Sequence, residues 1–158
     1  MSSKQQKYEY FIEEWMRVTG KTDIDMHAVA QLAIDSGFSA PKPMSAVELL
    51  AKDLAHAARE KTRVDDSTGR PYRAYHAYRQ EQGGHQLTLW VDIDTAPRPK
   101  MWKSLQMRRK QMIGDAVAVT DDADHWNRMH PNEEPIQIPL DLTPDVEEDK
   151  ALDGIEVA

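Results

Sequence analysis

The sequence predicts an α+β fold that is mainly helical: three short helices, a β-hairpin, one long helix and an acidic tail. Three observations carry this reading. Apolar residues recur at i, i+3, i+4 and i+7 in separate stretches of the first sixty or so positions. Two alternating, β-rich runs flank Gly83-Gly84. Beyond them, apolar residues continue from Leu105 to Trp126 at heptad spacing.

The first helix is expected over about Lys4 to Thr19, with Tyr8, Phe11, Ile12, Trp15 and Val18 on one face and Gly20 as its stop. Thr22 or Asp23 can cap a second helix, about Ile24 to Ser36, that turns Met26, Val29, Ala30, Ala33 and Ile34 inward. Pro41 and Pro43 hold the next segment extended. Ser45 and Glu48 then form an S-x-x-E capping box for a third helix, about Ala46 to Thr62, with Val47, Leu50 and Leu54 inward.

From Tyr72 to Arg79 the side chains alternate. Tyr72, Ala74, His76 and Tyr78 share one face; Arg73, Tyr75, Ala77 and Arg79 share the other. After a loop, QEQGGH, a second run places Leu87, Leu89, Val91 and Ile93 inward and Trp90 outward. The pair reads as a hairpin over 72–93. Prolines in TAPRPK suit the first turn of a long helix over about 97–130. Its heptad stripe (Leu105, Arg109, Met112, Ala116, Val119, Ala123, Trp126) fits either its own domain or a homodimer through 100–128. Gly114 weakens or bends it. Residues 131–143 are an extended segment whose Pro139 confines it to a sheet edge or a groove. Residues 144–158 are acidic, poor in large apolar groups, and expected to be disordered.

Three helices followed by a hairpin, here residues 4–94, resemble a winged helix-turn-helix domain. The long helix behind the hairpin is similar in placement to the dimerisation helix of PadR-type or MarR-type regulators. The resemblance implies a DNA-binding regulator of transcription, with the hairpin as its wing. The connector between the second and third helices is longer than the family's tight turn, and the third helix is of mixed charge. The ending DHWNRMHPNEEPIQIPLDLTPDVEED resembles that of small bacterial and phage-borne proteins, which implies a prokaryotic or mobile-element setting.

Charge is unevenly spread. The chain of 158 residues carries a net charge of -7. Residues 1–114 hold 18 basic against 14 acidic residues, whereas 115–158 hold 2 against 13. Within 70–110 there are 9 basic residues against 3 acidic ones. Such a local excess is the usual footprint of a phosphate-binding surface, and also of a basic face neutralised by the protein's own acids. The candidate nucleic-acid-binding residues are Arg59 and Arg63 near the end of the third helix, Arg73, Tyr75 and Arg79 on one strand face, and Lys100, Lys103, Arg108, Arg109 and Lys110 on the long helix. Arginine supplies charge and tyrosine a stacking face. The plainer alternatives are a macrodipole complement at Arg59 and Arg63, a cross-strand Tyr75–Trp90 stack and a solvated helix face. The acidic tail is positioned to compete with nucleic acid for this surface.

Other chemistries find less support. Cysteine is absent, which excludes disulfides, thiolate ligands and thiol nucleophiles. No apolar run is long enough to cross a bilayer, and the first residues hold no signal-like apolar stretch, so the expectation is a cytoplasmic protein. Asp121 and His125 stand i, i+4, with Asp124 and His130 nearby, but lack a third ligand at fitting spacing, so no metal, and no other cofactor, is expected. No nucleophile elbow, glycine-rich phosphate loop or H-E-x-x-H occurs, and the expectation is a protein that is not an enzyme. The alternative to nucleic-acid binding is a protein-interaction adaptor of the same fold, whose Ile136–Leu142 segment adds to a partner's sheet edge.

Overall fold

The computed structural model describes residues 3–156. Among these it is α+β, with five helices and two small antiparallel hairpins. The order is α1 (Lys4–Thr19), α2 (Met26–Asp35), α3 (Ala46–Glu60), β1 (Thr62–Val64), β2 (Pro71–Arg73), β3 (Tyr75–Gln82), β4 (His85–Asp92), α4 (Arg98–Met129) and α5 (Thr143–Glu156). The chain forms two compact units, residues 1–51 and 52–158, and the division falls inside α3.

In the first unit α1 packs on α2. Ser3 and Gln6 cap α1 reciprocally, and Gly20, at φ 65°, ends it. The N-cap of α2 is Asp25 rather than Thr22 or Asp23: its carboxylate accepts from the His27 amide at 2.9 Å, so the helix starts two residues later than its sequence suggests. Trp15, Val29 and Ala33 are buried between the helices. Tyr8 and Phe11 meet Phe38 at ring distances of 5.7 and 5.5 Å, edge-on or tilted geometries that suit aromatic quadrupoles.

The Ser45–Glu48 capping box forms at the start of α3. The stripe expected to face inward is nevertheless exposed, Val47 by 79%, with Leu50 and Leu54 also in solvent. Capping and local hydrogen bonds suffice to set a helix end. Periodicity identifies its apolar face without fixing what covers it.

The second unit begins with β1 and β2, joined by a turn in which the Asp65 carboxylate accepts from the Ser67 and Thr68 amides. Tyr72 belongs to this small hairpin and not to the longer one, which starts at Tyr75. The longer hairpin also reaches further than its sequence suggests. Gln80 to Gln82 and His85 continue the ladder, leaving a two-residue turn of Gly83 and Gly84 at φ 59° and 78°. Two successive positive φ values match the strand twist of a tight hairpin, and glycine adopts them without strain. The predicted face of β3 is kept, with Ala74, His76 and Tyr78 buried, but β4 does not alternate in burial: Leu87 is exposed, and Trp90 and Asp92, expected outward, are half-buried like Leu89, Val91 and Ile93.

Helix α4 packs along β3. Ser104, 1% exposed, donates its hydroxyl to the Ala77 carbonyl and so ties helix to strand. The helix runs unbroken through Gly114. At its far end the Asn127 side chain both donates to the Ile136 carbonyl (2.9 Å) and accepts from the Ile136 amide (2.8 Å), so it stands in for a strand partner and turns the extended segment back along the helix. Leu140, Leu142 and Val146 then share a groove with Arg109, Met112 and Ala116. The middle of the heptad stripe therefore faces this chain's own returning segment.

Residues 143–156 are helical, contrary to the disorder expected of the acidic tail. Asp141 accepts from the Thr143 amide (3.1 Å), Pro144 occupies the first turn, and Asp145 complements the helix N-terminus. Arg70 adds a long-range anchor, donating to the Lys150 carbonyl at 3.0 Å and to Asp153 at 2.9 Å. A helix N-terminal cap and a cation on an acidic helix supply what composition does not reveal.

Replacing Ser104 with alanine leaves the Ala77 carbonyl unpaired and lowers stability by about 1–2 kcal/mol. Urea unfolding of Ser104→Ala checks this; a midpoint equal to that of the parent protein would remove the bond from the account of how α4 is seated.

Candidate nucleic-acid interface

The alternation of β3 sends Tyr75, Ala77 and Arg79 to the side opposite the buried His76 and Tyr78, while Arg73, expected on the same strand, ends β2 and pairs with Thr62. Register pairs Ala77 with Trp90 and Arg79 with Thr88 across the hairpin. With α4 lying along β3, Ser104, Met107, Arg108 and Gln111 close one wall, and Arg59 from the end of α3 closes another. The result is a recess of about 240 Å³ with mixed polar and apolar walls. Five of the residues expected to bind nucleic acid, Arg59, Arg73, Tyr75, Arg79 and Arg108, line it together.

The lining contains four arginines and no carboxylate. Among the described residues none of the four forms an ion pair. Arg59 instead lies over the Trp90 ring, 5.5 Å from its centroid, a cation–π arrangement. The Arg108 guanidinium is held below its ordinary pKa, first by burial and then by the charge of Arg73. His76, 5% exposed, is likewise lowered, chiefly by burial and further by Arg108 and Arg73, although its Nε2–H donates to the Arg73 carbonyl at 3.1 Å. Burial and the two neighbouring cations disfavour the charged ring, against the bond to the Arg73 carbonyl, which favours it. His76 serves as a wall of the recess with its Nε2 proton already engaged.

Arg63 has a different fate. Its guanidinium takes Asp92 in a bidentate grip (2.7 and 2.6 Å) and Asp94 at 2.5 Å, and lies 5.8 Å from the Tyr75 ring centroid. Tyr72 also donates its hydroxyl to Asp94. This network joins β1 to the end of β4 and keeps Asp92 ionised: the Arg63 hydrogen bonds, with the Asp94 amide, pull its pKa down to about 2. Arg63 is thus a structural cation, with its charge already answered.

The remaining candidates are dispersed. The Lys100 ammonium lies 5.5 Å from the Tyr78 ring centroid. Lys103 and Lys110 are exposed on α4, and Arg109 lines the groove beneath the returning segment. The acidic α5 meets Arg70 and not the recess arginines. Tyr75 stands opposite Asp92 and Trp90 opposite Ala77, so each ring takes an arginine and the expected Tyr75–Trp90 stack is absent among the described residues. Trp90, Thr88, Ser104 and Gln111 were not singled out as binding residues. A two-residue turn at Gly83-Gly84 is the signal that would have placed Trp90 and Thr88 beside Ala77 and Arg79.

Of the residues weighed for a metal, His130 stacks on Trp126 at 4.3 Å and its Nδ1 bonds the Trp126 carbonyl. Among the described residues no group of three or more His, Asp or Glu is placed to hold a metal ion. Among the described residues no helix is long and apolar enough to cross a membrane. No family model, curated protein or solved structure matches the chain. The likeness to winged-helix regulators therefore rests on the order of elements.

The Arg63–Asp92 pair sets an acid limb of stability. A carboxylate lowered by folding contributes above its unfolded pKa, about 4, and loses that contribution as pH falls towards about 2. Unfolding followed from pH 6 to pH 2 is expected to show this loss in the parent protein and a shallower one in Arg63→Ala. Equal acid limbs would show that the pair does not couple to folding.

Proposed function

We propose that this protein binds nucleic acid through phosphate contacts made by Arg59, Arg73, Arg79 and Arg108. The observation that carries the reading is four guanidinium groups lining one recess without a carboxylate. Proteins usually neutralise clustered cations internally, as this one does at Arg63 and Arg70. A cluster left open retains its charge for an external anion, and phosphate suits arginine's planar fork. The adjacent aromatic rings favour nucleic acid over a bare oxyanion. Polar lining from Thr88, Ser104 and Gln111 adds hydrogen-bonding capacity. The transcriptional role and prokaryotic setting implied by the resemblance extend this same reading.

A second reading, a protein-interaction module, draws on another feature: the exposed Val47, Leu50 and Leu54 on α3. An apolar stripe of that kind suits a partner's groove. The two readings separate on charge.

In fluorescence anisotropy with labelled oligonucleotides, four phosphate contacts predict affinity falling about 50-fold or more between about 50 and 200 mM salt. Arg73→Glu with Arg108→Glu is expected to abolish binding at the lowest salt, whereas Arg17→Glu with Lys21→Glu, an equal charge change on the first unit, leaves most of it. Salt-insensitive binding, or equal loss in both double variants, would refute a site at the recess.

A further inference from the structure

The recess differs in shape and chemistry from a surface that rests against a double helix. Its floor is the outward face of the β3–β4 hairpin, and Trp90, half-buried, forms part of that floor. The Arg59 guanidinium lies over the indole, so this ring face admits a flat group. Tyr75 supplies a second ring to the lining, with the guanidinium of Arg63, itself held by Asp92 and Asp94, 5.8 Å from its centroid. Arg73 and Arg108 flank the same space. In a duplex the base faces are covered by their neighbours and only edges are presented in the grooves. A ring set in the floor of a recess reaches a base face only when that base is unstacked. A volume of about 240 Å³ lies just below the usual range of small-ligand pockets and suits one nucleotide in an open-sided site.

Building on the phosphate-binding reading above, we infer that the recess takes one unpaired nucleotide, its base on Trp90 and its phosphate between Arg73 and Arg108, so that the ligand is single-stranded nucleic acid. The base displaces Arg59 from the indole or layers on its guanidinium, since both are flat and aromatic faces accept either. Phosphates on either side of that nucleotide then fall to Arg59 and Arg79 at the rim. No base edge needs to be read, so stacking gives a preference for strand state more than for sequence.

The test compares the full chain binding an oligothymidylate of about 12 nucleotides with a hairpin duplex of equal phosphate count at low salt. The expected result is at least tenfold tighter binding of the single strand, with quenching of tryptophan fluorescence. Trp90→Leu should weaken single-strand binding about tenfold or more, abolish most of the quenching and leave hairpin binding unchanged. The preference of the parent protein is informative even if that variant fails to fold. Salt-dependent binding with the hairpin held as tightly as the single strand would overturn this inference and leave the phosphate-binding reading standing. Absence of salt-dependent binding to either would overturn both. Displacement of the oligonucleotide by an equal concentration of thymidine monophosphate would assign the recess to a free nucleotide and overturn the single-strand assignment.

Discussion

The seating of α4 on β3 is the contact on which the second unit depends. It is made where a small polar side chain, Ser104, is buried against the strand and bonded to the Ala77 carbonyl. A larger residue at that point would hold the helix away. An unbonded one would leave a strand carbonyl without a partner. With Ser104 in place, Arg108, one turn further on, has its pKa lowered first by burial and then by the charge of Arg73. His76 is buried beside it and its pKa is lowered, chiefly by that burial and further by Arg108 and Arg73, which disfavours another cation in the cluster. One buried hydroxyl thus ties the helix that carries Arg108 to the strand that carries Arg79.

The arginines of this unit divide into two kinds. Arg63 and Arg70 have carboxylate partners and serve the fold, one joining the two hairpins and the other anchoring α5. Arg59, Arg73, Arg79 and Arg108 have none among the described residues. Like charges gathered on one surface work against folding, and the acids to offset them are present elsewhere in a chain of net charge -7. That Asp92, Asp94 and Asp153 pair with Arg63 and Arg70 instead is what gives the recess its functional interest. The ion pair of the acidic C-terminal helix lies at the β1–β2 turn.

Much of this was legible in the sequence, for physical reasons that differ by element. Ser45 and Glu48 predicted their own capping box because the signal is local and self-contained. The faces of β3 followed from a period of two, and with them the grouping of Tyr75 and Arg79, whereas Arg73 belongs to the separate strand β2. The exposed stripe on α3 was not legible, because amphipathicity says nothing about the partner surface. Helix α5 escaped because its anchors, Asp141 and the distant Arg70, carry no compositional mark. At the recess, the separate fates of Arg63 and Arg73 depended on pairings across 29 to 31 positions, which periodicity does not encode. Trp90 was seen as an outward residue, but its place beside α4 required the hairpin register and the helix packing together.

The central claim is that unpaired guanidinium groups at one recess, and not the basic surface at large, contact phosphate. Residue-resolved NMR of the arginine Nε–Hε groups tests it most directly, by titrating the full chain with an oligonucleotide. The account predicts that Arg59, Arg73, Arg79 and Arg108 shift together along one binding curve while Arg17, Arg63 and Arg70 stay still. Shifts spread evenly over all arginines, or confined to Arg109 and others outside the recess, would contradict it.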